Sequence, residues 1–273
     1  MKKTTLLAGL VLSGLILTTT ETCAFAAEST TTEGSINFKT GDVIGEVIKP
    51  ETPNVIVPET GGSSAGPLRI QHVPDFSFGT QELAIGNQSF NPTLETYKFK
   101  DTSLQAGAVA GETYAIPHFI QVTDARGSNA GWNLTAKATT FTTKQSNDEM
   151  PNATITLQEG KLSNTTYDDT EIANRINTFK GNSNAGTGKL TIPTDGNSLL
   201  VMQTKTDTKV DTTNGTQTSL VLNDLYDKEN LGYQATETNT GVQFDKTNKD
   251  IAIVTDAANA YESIITWTLT DGI

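Results

Sequence analysis

Apolar and polar residues alternate with a period of two along much of the chain. The segment 68–73 (LRIQHV) is a clear case, and Phe76 and Phe78 continue its apolar pattern. Such alternation is typical of strands with one buried face. Clusters of Gly, Asn, Asp and Thr separate these segments at the spacing found in β-sandwiches. The predicted strands are 34–39, 68–73, 94–99, 114–123, 130–138, 152–158, 188–193, 198–204, 217–222, 232–237, 250–254 and 261–270.

One segment has helical rather than strand periodicity. Within 168–179, Ile172, Ile176 and Phe179 recur every three to four residues, and Asp168 stands where a cap is expected. Side chains at this spacing share one face of a helix, and an Asp at the N-cap accepts a hydrogen bond from a free backbone N–H group. We therefore predict one short helix over this segment.

The composition changes at 48–67, where proline and glycine are frequent. This segment contains four prolines, at 50, 53, 58 and 67, and GGSSAG at 61–66, a composition typical of an extended linker or loop. Taken together, the patterns predict an all-β protein: a β-sandwich with a long inserted Pro/Gly-rich loop at 48–67 and one short helix.

The N-terminus has the pattern of a secretory signal. Lys2 and Lys3 precede an apolar run over 6–17, and small residues lead to a predicted cleavage site after Ala26. The run is shorter than the roughly 20 residues that a membrane-spanning helix needs, so we expect no membrane insertion of the mature chain. The predicted divisions are a signal peptide at 1–26, a polar leader at 27–33 and one domain at 34–273.

Composition narrows the classes of function. The formal net charge is -12, with 31 acidic and 19 basic residues, which disfavours binding to nucleic acid or to an anionic membrane. Thr, Asn, Ser and Gly carry most of the polarity and favour strands and turns. The single cysteine, Cys23, precedes the predicted cleavage site, so the exported chain would fold without disulfides. This combination favours the surface of a Gram-positive bacterium.

The two tryptophans occur in similar contexts. Trp132 and Leu134 lie in GWNLT, and Trp267 and Leu269 lie in YESIITWTLTDG, which begins at Tyr261. Because strand residues two apart share a face, each Trp lies on the same face as its Leu. In the second segment, Tyr261 is expected to share that face as well.

Paired Trp-x-Leu motifs of this kind resemble the WxL cell-wall-binding domain of Gram-positive surface proteins. The resemblance extends to 34–42 (GSINFKTGD), 66–79 and 120–136, and covers nearly the whole mature chain. It implies a β-sandwich that is secreted, located at the cell wall or cell surface, and attached non-covalently to peptidoglycan. Other WxL-cluster surface proteins and a membrane-anchored WxL-interacting protein are the implied partners. With one domain only, the chain resembles a small WxL protein.

Two interpretations of the tryptophans remain open at this stage. They can pack the sandwich core, as large aromatic side chains commonly do, or they can present ring faces to sugar. Arg126 can bind a muropeptide carboxylate with two donors, or it can form a surface ion pair with Asp124 in a turn. The candidate peptidoglycan contacts are Trp132, Leu134, Tyr261, Trp267, Leu269 and Arg126.

Catalysis has little support in the sequence. The two histidines, His72 and His118, lie inside predicted strands, and none of the common nucleophile, zinc or phosphate motifs is present. The segment 245–250 lacks the Gly and Glu of an EF-hand loop. The sortase-like VPETG at 57–61 is internal, which argues against covalent sorting. We therefore expect no enzyme activity, no cofactor and no metal.

A rival hypothesis concerns the partner. The acidic, Thr-rich surface could equally bind another protein, either the membrane-anchored partner or host matrix. Binding to protein-free peptidoglycan distinguishes the two. A glycan-active enzyme on a β-sandwich is a weaker rival, which would require turnover of muropeptides.

Overall fold

The structure is a computed structural model that describes residues 45–182, 188–205 and 213–272. The predicted signal peptide, polar leader and strand at 34–39 lie outside these residues. The described chain is all-β, as predicted. Its strands are β1 (Val47–Ile48), β2 (Val55–Pro58), β3 (Leu68–His72), β4 (Gln88–Phe90), β5 (Glu95–Phe99), β6 (Thr113–Ile116), β7 (Phe119–Asp124), β8 (Trp132–Ala138), β9 (Phe141–Thr143), β10 (Glu149–Met150), β11 (Thr154–Gln158), β12 (Leu162–Asn164), β13 (Ile176–Thr178), β14 (Lys189–Pro193), β15 (Leu199–Thr204), β16 (Thr216–Val221), β17 (Val242–Lys246), β18 (Tyr261–Glu262) and β19 (Ile265–Asp271).

Within the described ranges these strands pair antiparallel in five sheets, each named here after one of its inner strands. The orders are β1-β2-β5-β6 for the β5 sheet, β12-β16-β7-β3 for the β7 sheet, β13-β15-β8-β19 for the β8 sheet, β14-β11-β17-β4 for the β11 sheet and β10-β9-β18 for the β9 sheet. The described helices are α1 (Asp169–Arg175), α2 (Phe179–Asn182) and two 3-10 turns, Asp101–Ser103 and Ala257–Asn259.

Strand alternation places the β7 sheet between two hydrophobic clusters. On β7, Ile120 joins the main core while its neighbour Phe119 joins a second cluster. On β16, Leu220 and Val221 divide in the same way. The main core also contains Trp132 and other side chains of the β8 sheet and the β11 sheet. The β7 sheet therefore forms the middle layer between the β5 sheet and the β8 sheet.

Within the described residues, the β7 sheet and the β8 sheet each have two edge strands, and a helix contacts the edge strands on one side. On one side, α1 contacts both edge strands, β12 and β13. On the other side, the edge strands β3 and β19 lie beside one another. The strand that carries the second tryptophan is thus an edge strand at the side opposite the helix.

Four strand predictions need correction. The predicted strand 114–123 is two strands, β6 and β7, in different sheets, because Pro117 between them has no N–H group for a ladder. The predicted strand 261–270 is interrupted at 263–264. The predictions for 232–237 and 250–254 are wrong. There, backbone donors bind side chains instead of a ladder: Gly232 N–H donates to Asn230 at 2.8 Å, and Ile253 N–H donates to the Tyr261 hydroxyl at 3.1 Å.

The predicted helix exists but is shorter than expected. Asp168 caps α1 by accepting a hydrogen bond from the Glu171 N–H at 2.8 Å, and the Glu171 carboxylate accepts one from the Asp168 N–H at 3.1 Å. The chain becomes extended at Ile176, which pairs with Thr204 on β15. A sheet partner therefore ends the helix before the hydrophobic periodicity does.

The segment 48–67 is a loop only in part. Residues Val55–Pro58 form β2, which pairs with β1 on one side and β5 on the other. The sortase-like residues at 57–61 thus begin inside a sheet, where Val57 lies opposite Lys98. The proline and glycine content correctly predicted that part of this segment is a loop. It did not predict β2, because that strand forms by pairing with β1 and with the distant strand β5.

Candidate functional site

The two Trp-x-Leu motifs lie on neighbouring strands. In the antiparallel pair of β8 and β19, Leu269 lies opposite Leu134, Trp267 opposite Ala136, and Asp271 opposite Trp132. Residues that lie opposite one another project to the same face of a sheet. The two motifs therefore form one continuous patch that the sequence alone did not join.

The first motif belongs to the core. Trp132 and Leu134 are fully buried, since β8 is an inner strand over the main core. The Trp132 indole N–H donates to the Thr213 hydroxyl at 2.8 Å, and its backbone N–H donates to the Thr204 hydroxyl at 2.9 Å. Among the two interpretations, packing applies to both residues. The expectation that Trp132 and Leu134 contact peptidoglycan directly is therefore corrected, because neither side chain reaches the surface.

The second motif is only half-buried. Trp267 and Leu269 pack against the main core from the edge strand β19, together with Ile265. Within the described ranges no strand hydrogen-bonds to the outer side of β19, although the edge strand β3 of the β7 sheet lies near it. An edge position therefore leaves part of each ring and side chain accessible to a ligand.

Tyr261 does not share the face of the second motif. The break at 263–264 places it on β18 in the β9 sheet, opposite Thr143, so the expected continuous strand face is wrong. It is half-buried and lines a cavity with Phe141 and Phe244. The break arises where Ile264 N–H donates to the Thr139 hydroxyl at 2.9 Å.

Arg126 clamps the two motif strands. Its Nε and NH2 donate to the two carboxylate oxygens of Asp124 at 2.9 and 2.7 Å. The remaining donors reach the carbonyl oxygens of Gly131 and Ala130, at 3.1 and 2.5 Å, and the carboxylate of Asp271 at the end of β19. The hydrogen bonds that Arg126 donates to the Asp124 carboxylate raise the Arg126 pKa above its ordinary value. All five guanidinium donors are thus occupied, and the side chain is only 8% exposed.

This geometry corrects both earlier interpretations of Arg126. A muropeptide carboxylate would have to displace an existing partner, so the proposed contact is not available. The pair with Asp124 exists, but Asp124 is 1% exposed, so it is buried and not a surface pair. Breaking a buried, fully hydrogen-bonded pair is costly, unlike breaking an exposed one. Arg126 therefore links the end of β19 to the segment that leads into β8.

The outer face of the β8 sheet is a candidate binding surface that the sequence alone did not indicate. On β19, Thr266, Thr268 and Thr270 are exposed, and they lie opposite Lys137, Thr135 and Asn133 on β8. One row of amide and hydroxyl side chains crosses all four strands. It runs through Asn177, Gln203, Asn133 and Thr270.

This outer surface, called here the threonine face, is defined by Asn133, Thr135, Thr266, Thr268 and Thr270. The Thr270 hydroxyl donates to the Asn133 side-chain oxygen at 2.7 Å, so neighbouring strands are linked on it. The signal in the sequence was the threonine at every second position of β19. Its importance depends on the neighbouring strand, which sequence spacing does not identify.

Both histidines are buried and contact other buried polar side chains. His72 and Glu95 form a buried pair, with Nε2 and Oε1 2.6 Å apart. Burial raises the Glu95 pKa, and His72 opposes that rise. Burial lowers the His118 pKa to about 3. His118 Nδ1 accepts from the Asn239 amide at 2.9 Å, so it is neutral and buried.

The fold and the paired motif define an all-β sandwich organised around two adjacent Trp-x-Leu strands. The family model described as "WxL domain surface cell wall-binding" matches residues 25–272, and the chain belongs to this family. The resemblance found in the sequence is thereby confirmed, and the chain is a cell-wall-binding surface domain. Comparisons with curated proteins and with solved structures gave no significant match.

The described helices are short. None of them has the length and apolar composition needed to cross a membrane.

Proposed function

We propose that the chain is an exported, non-enzymatic surface protein that attaches non-covalently to peptidoglycan through β19. One observation carries this proposal: β19 is an edge strand with half-buried Trp267 and Leu269 on one face and exposed threonines on the other. Arg126 binds the end of this strand through Asp271, and Trp132 lies opposite Asp271 on the neighbouring strand β8. In this proposal the first motif is the support and the second is the contact.

The chemistry of β19 suits a glycan. Threonine hydroxyls both donate and accept hydrogen bonds, as sugar hydroxyls do. A partly exposed indole can stack its face on the apolar C–H face of a sugar ring, while its buried part remains packed. The two kinds of contact are separated by the strand, so a glycan chain would lie along its edge.

The negative net charge of the protein favours attachment through a surface made of neutral residues. The protein carries a net charge of -12, so its overall field repels anionic wall polymers. The five residues that define the threonine face are neutral, the exposed Lys137 lies beside them opposite Thr266, and the Asp271 carboxylate at the end of β19 is bound to Arg126. Attachment should therefore depend on short-range contacts and work against long-range repulsion.

Replacing Thr268 by Glu tests the contact surface. The added charge and bulk on the threonine face should weaken sedimentation with protein-free peptidoglycan about tenfold, which corresponds to about 1.4 kcal/mol. The matched control is Thr191→Glu, since Thr191 is also an exposed strand threonine, on β14 of the β11 sheet. Equal binding by the two variants, both folded by circular dichroism, would refute the proposed surface.

The same sedimentation assay tests the role of charge. Raising the salt concentration from about 0.1 M to about 1 M shortens the Debye length from about 10 Å to about 3 Å. Wild-type binding should strengthen over this range, because repulsion from the wall is screened. Weaker binding at high salt would show that attractive charge pairs dominate.

A protein partner is the second candidate, favoured by the unpaired side of β19. An edge strand can accept a strand from another chain, such as a membrane-anchored WxL-interacting protein or a host matrix protein. If wild-type protein does not sediment with protein-free peptidoglycan but does so with intact cell walls, this candidate replaces the first.

A further inference from the structure

A cavity of about 620 Å³ lies beside the β9 and β11 sheets, away from the threonine face. Its wall is aromatic: the Phe244 ring centroid lies 4.8 Å from that of Phe141, 5.5 Å from that of Phe78 and 6.2 Å from that of Phe90. Tyr261 completes this side. The volume falls in the range of natural small-molecule sites, about 300–1,000 Å³, which are mostly apolar with few polar groups.

The rim of this cavity is apolar as well. Leu83, Ile253 and Val254 line it, and each is substantially exposed, with Val254 at 86%. Ile85 and Ile251 do not line the cavity, but they lie two residues from Leu83 and Ile253 along the chain and are also exposed. Exposed apolar side chains gathered at a cavity mouth are typical of a binding site for an apolar molecule.

Lys246 places a cation in this apolar wall. It is 7% exposed, and its ammonium donates to the carbonyl oxygens of Gly86 at 3.1 Å and Thr247 at 3.5 Å. Among the described residues, no carboxylate lies within 4 Å of it. The exposed Lys144, in contrast, pairs with Glu262 at 2.6 Å.

Burying an ammonium without a counter-charge is unfavourable, so an anion bound next to the Lys246 ammonium would be stabilised by it. The ammonium has three donors, and the two carbonyl oxygens occupy two of them. The Gln88 amide, which also lines the cavity, is engaged by the backbone of Glu82 and Ala84. The lining also contains two carboxylates: Asp256 accepts hydrogen bonds from the backbone N–H groups of Ala258 and Asn259, and Glu82 is exposed to solvent. The third ammonium donor of Lys246 is the cationic group that this wall offers to a ligand.

We propose that this cavity binds a single-chain amphiphile with an aliphatic body and one carboxylate, the chemistry of a free fatty acid. The carboxylate pairs with the Lys246 ammonium, and the aliphatic chain covers the Phe244 ring and leaves between the apolar rim residues. The site is separate from the surface proposed for the cell wall, and it does not depend on that proposal.

Calorimetric titration with dodecanoate and dodecanol, below their aggregation limits, tests the proposal on the wild-type protein. Dodecanoate should bind at least about tenfold more tightly, since only it pairs with the ammonium. Equal affinities, or absence of binding by dodecanoate, would overturn the proposal. Tighter binding of dodecyl phosphate than of dodecanoate would overturn the choice of a carboxylate.

Two lysine variants locate the charge. Lys246→Met retains the aliphatic stem and should bring the dodecanoate affinity to that of dodecanol. The control Lys249→Met removes an exposed cation three residues along the chain and should bind as the wild type does. If Lys246→Met does not fold, the wild-type comparison with dodecanol and dodecyl phosphate still decides the matter. Full retention of the dodecanoate preference in folded Lys246→Met would overturn the assignment.

Discussion

The two tryptophans show how one motif has two roles at the scale of a residue. Trp132 is fully buried, and both of its N–H groups donate to threonine hydroxyls. Trp267 lies on an edge strand and is only half-buried. The sequence around each is similar, so the difference in role comes from the position of its strand in the sheet.

This difference predicts unequal effects on stability. Trp132→Ala should lower the free energy of unfolding by about 3–5 kcal/mol, because it empties a packed site and leaves the Thr213 hydroxyl without its partner. Trp267→Ala should cost less than half as much, because part of its ring already faces water. Urea unfolding followed by circular dichroism measures both. Equal losses would contradict the assignment of Trp132 to support and Trp267 to contact.

At the scale of elements, secondary structure and burial respond to different signals. Ile172, Ile176 and Phe179 were placed on one helix face, and all three are buried, at 0%, 3% and 1% exposure. They reach the core from α1, β13 and α2 respectively. The apolar spacing thus predicted burial correctly, while pairing with β15 decided the backbone conformation.

The capping box of α1 gives a prediction at this scale. Asp168→Ala should destabilise the protein by about 1 kcal/mol, because the Glu171 N–H loses its acceptor at the helix start. Asp169→Ala, at an exposed position one residue later, is the control and should have a smaller effect. Thermal unfolding of the pair measures the difference. A larger loss for Asp169→Ala would show that charge near the helix start outweighs the cap.

At the scale of the whole molecule, buried polar groups tie distant parts of the chain together. His72 on β3 pairs with Glu95 on β5, which links the β7 sheet to the β5 sheet. His118 binds Asn239, whose side-chain oxygen accepts from Gly241 N–H and the Asn223 amide, each at 3.0 Å. These contacts make stability depend on pH.

The sign of that dependence follows from the His118 pKa. Its value is lowered from 6.5 to about 3, first by burial and then by the nearby His72. Between these values the unfolded chain binds a proton that the folded chain does not, so stability should fall as the pH decreases from about 6.5 to about 3. One such group contributes at most about 1.4 kcal/mol per pH unit. Urea unfolding at a series of pH values measures the slope.

One further group titrates with the opposite effect on stability, and a His118 variant provides the control. Glu95 acts in the opposite sense, because its raised pKa contributes stability below its ordinary value of 4.5 that is lost as the pH rises through the folded pKa. His118→Asn retains an acceptor for Asn239 and removes the titrating ring, so it should flatten the acid slope. An unchanged slope in this variant would assign the acid sensitivity to other groups.

The sequence by itself determined the all-β class, the capped helix start, many of the strands and the family. These features depend on local periodicity, turn composition and a linear motif, and each is readable over a few residues. It also left open whether the tryptophans were core or contact residues.

Tertiary structure decided the rest. Pairing of β8 with β19 joined the two motifs, placed Trp132 on an inner strand and Trp267 on an edge strand, and brought Asp271 to Arg126. It also collected Phe244, Tyr261 and Lys246 around one cavity. The physical reason is that strand order and exposure are set by long-range hydrogen bonding and packing, and a residue's own neighbours in the chain do not specify which strand will lie beside it.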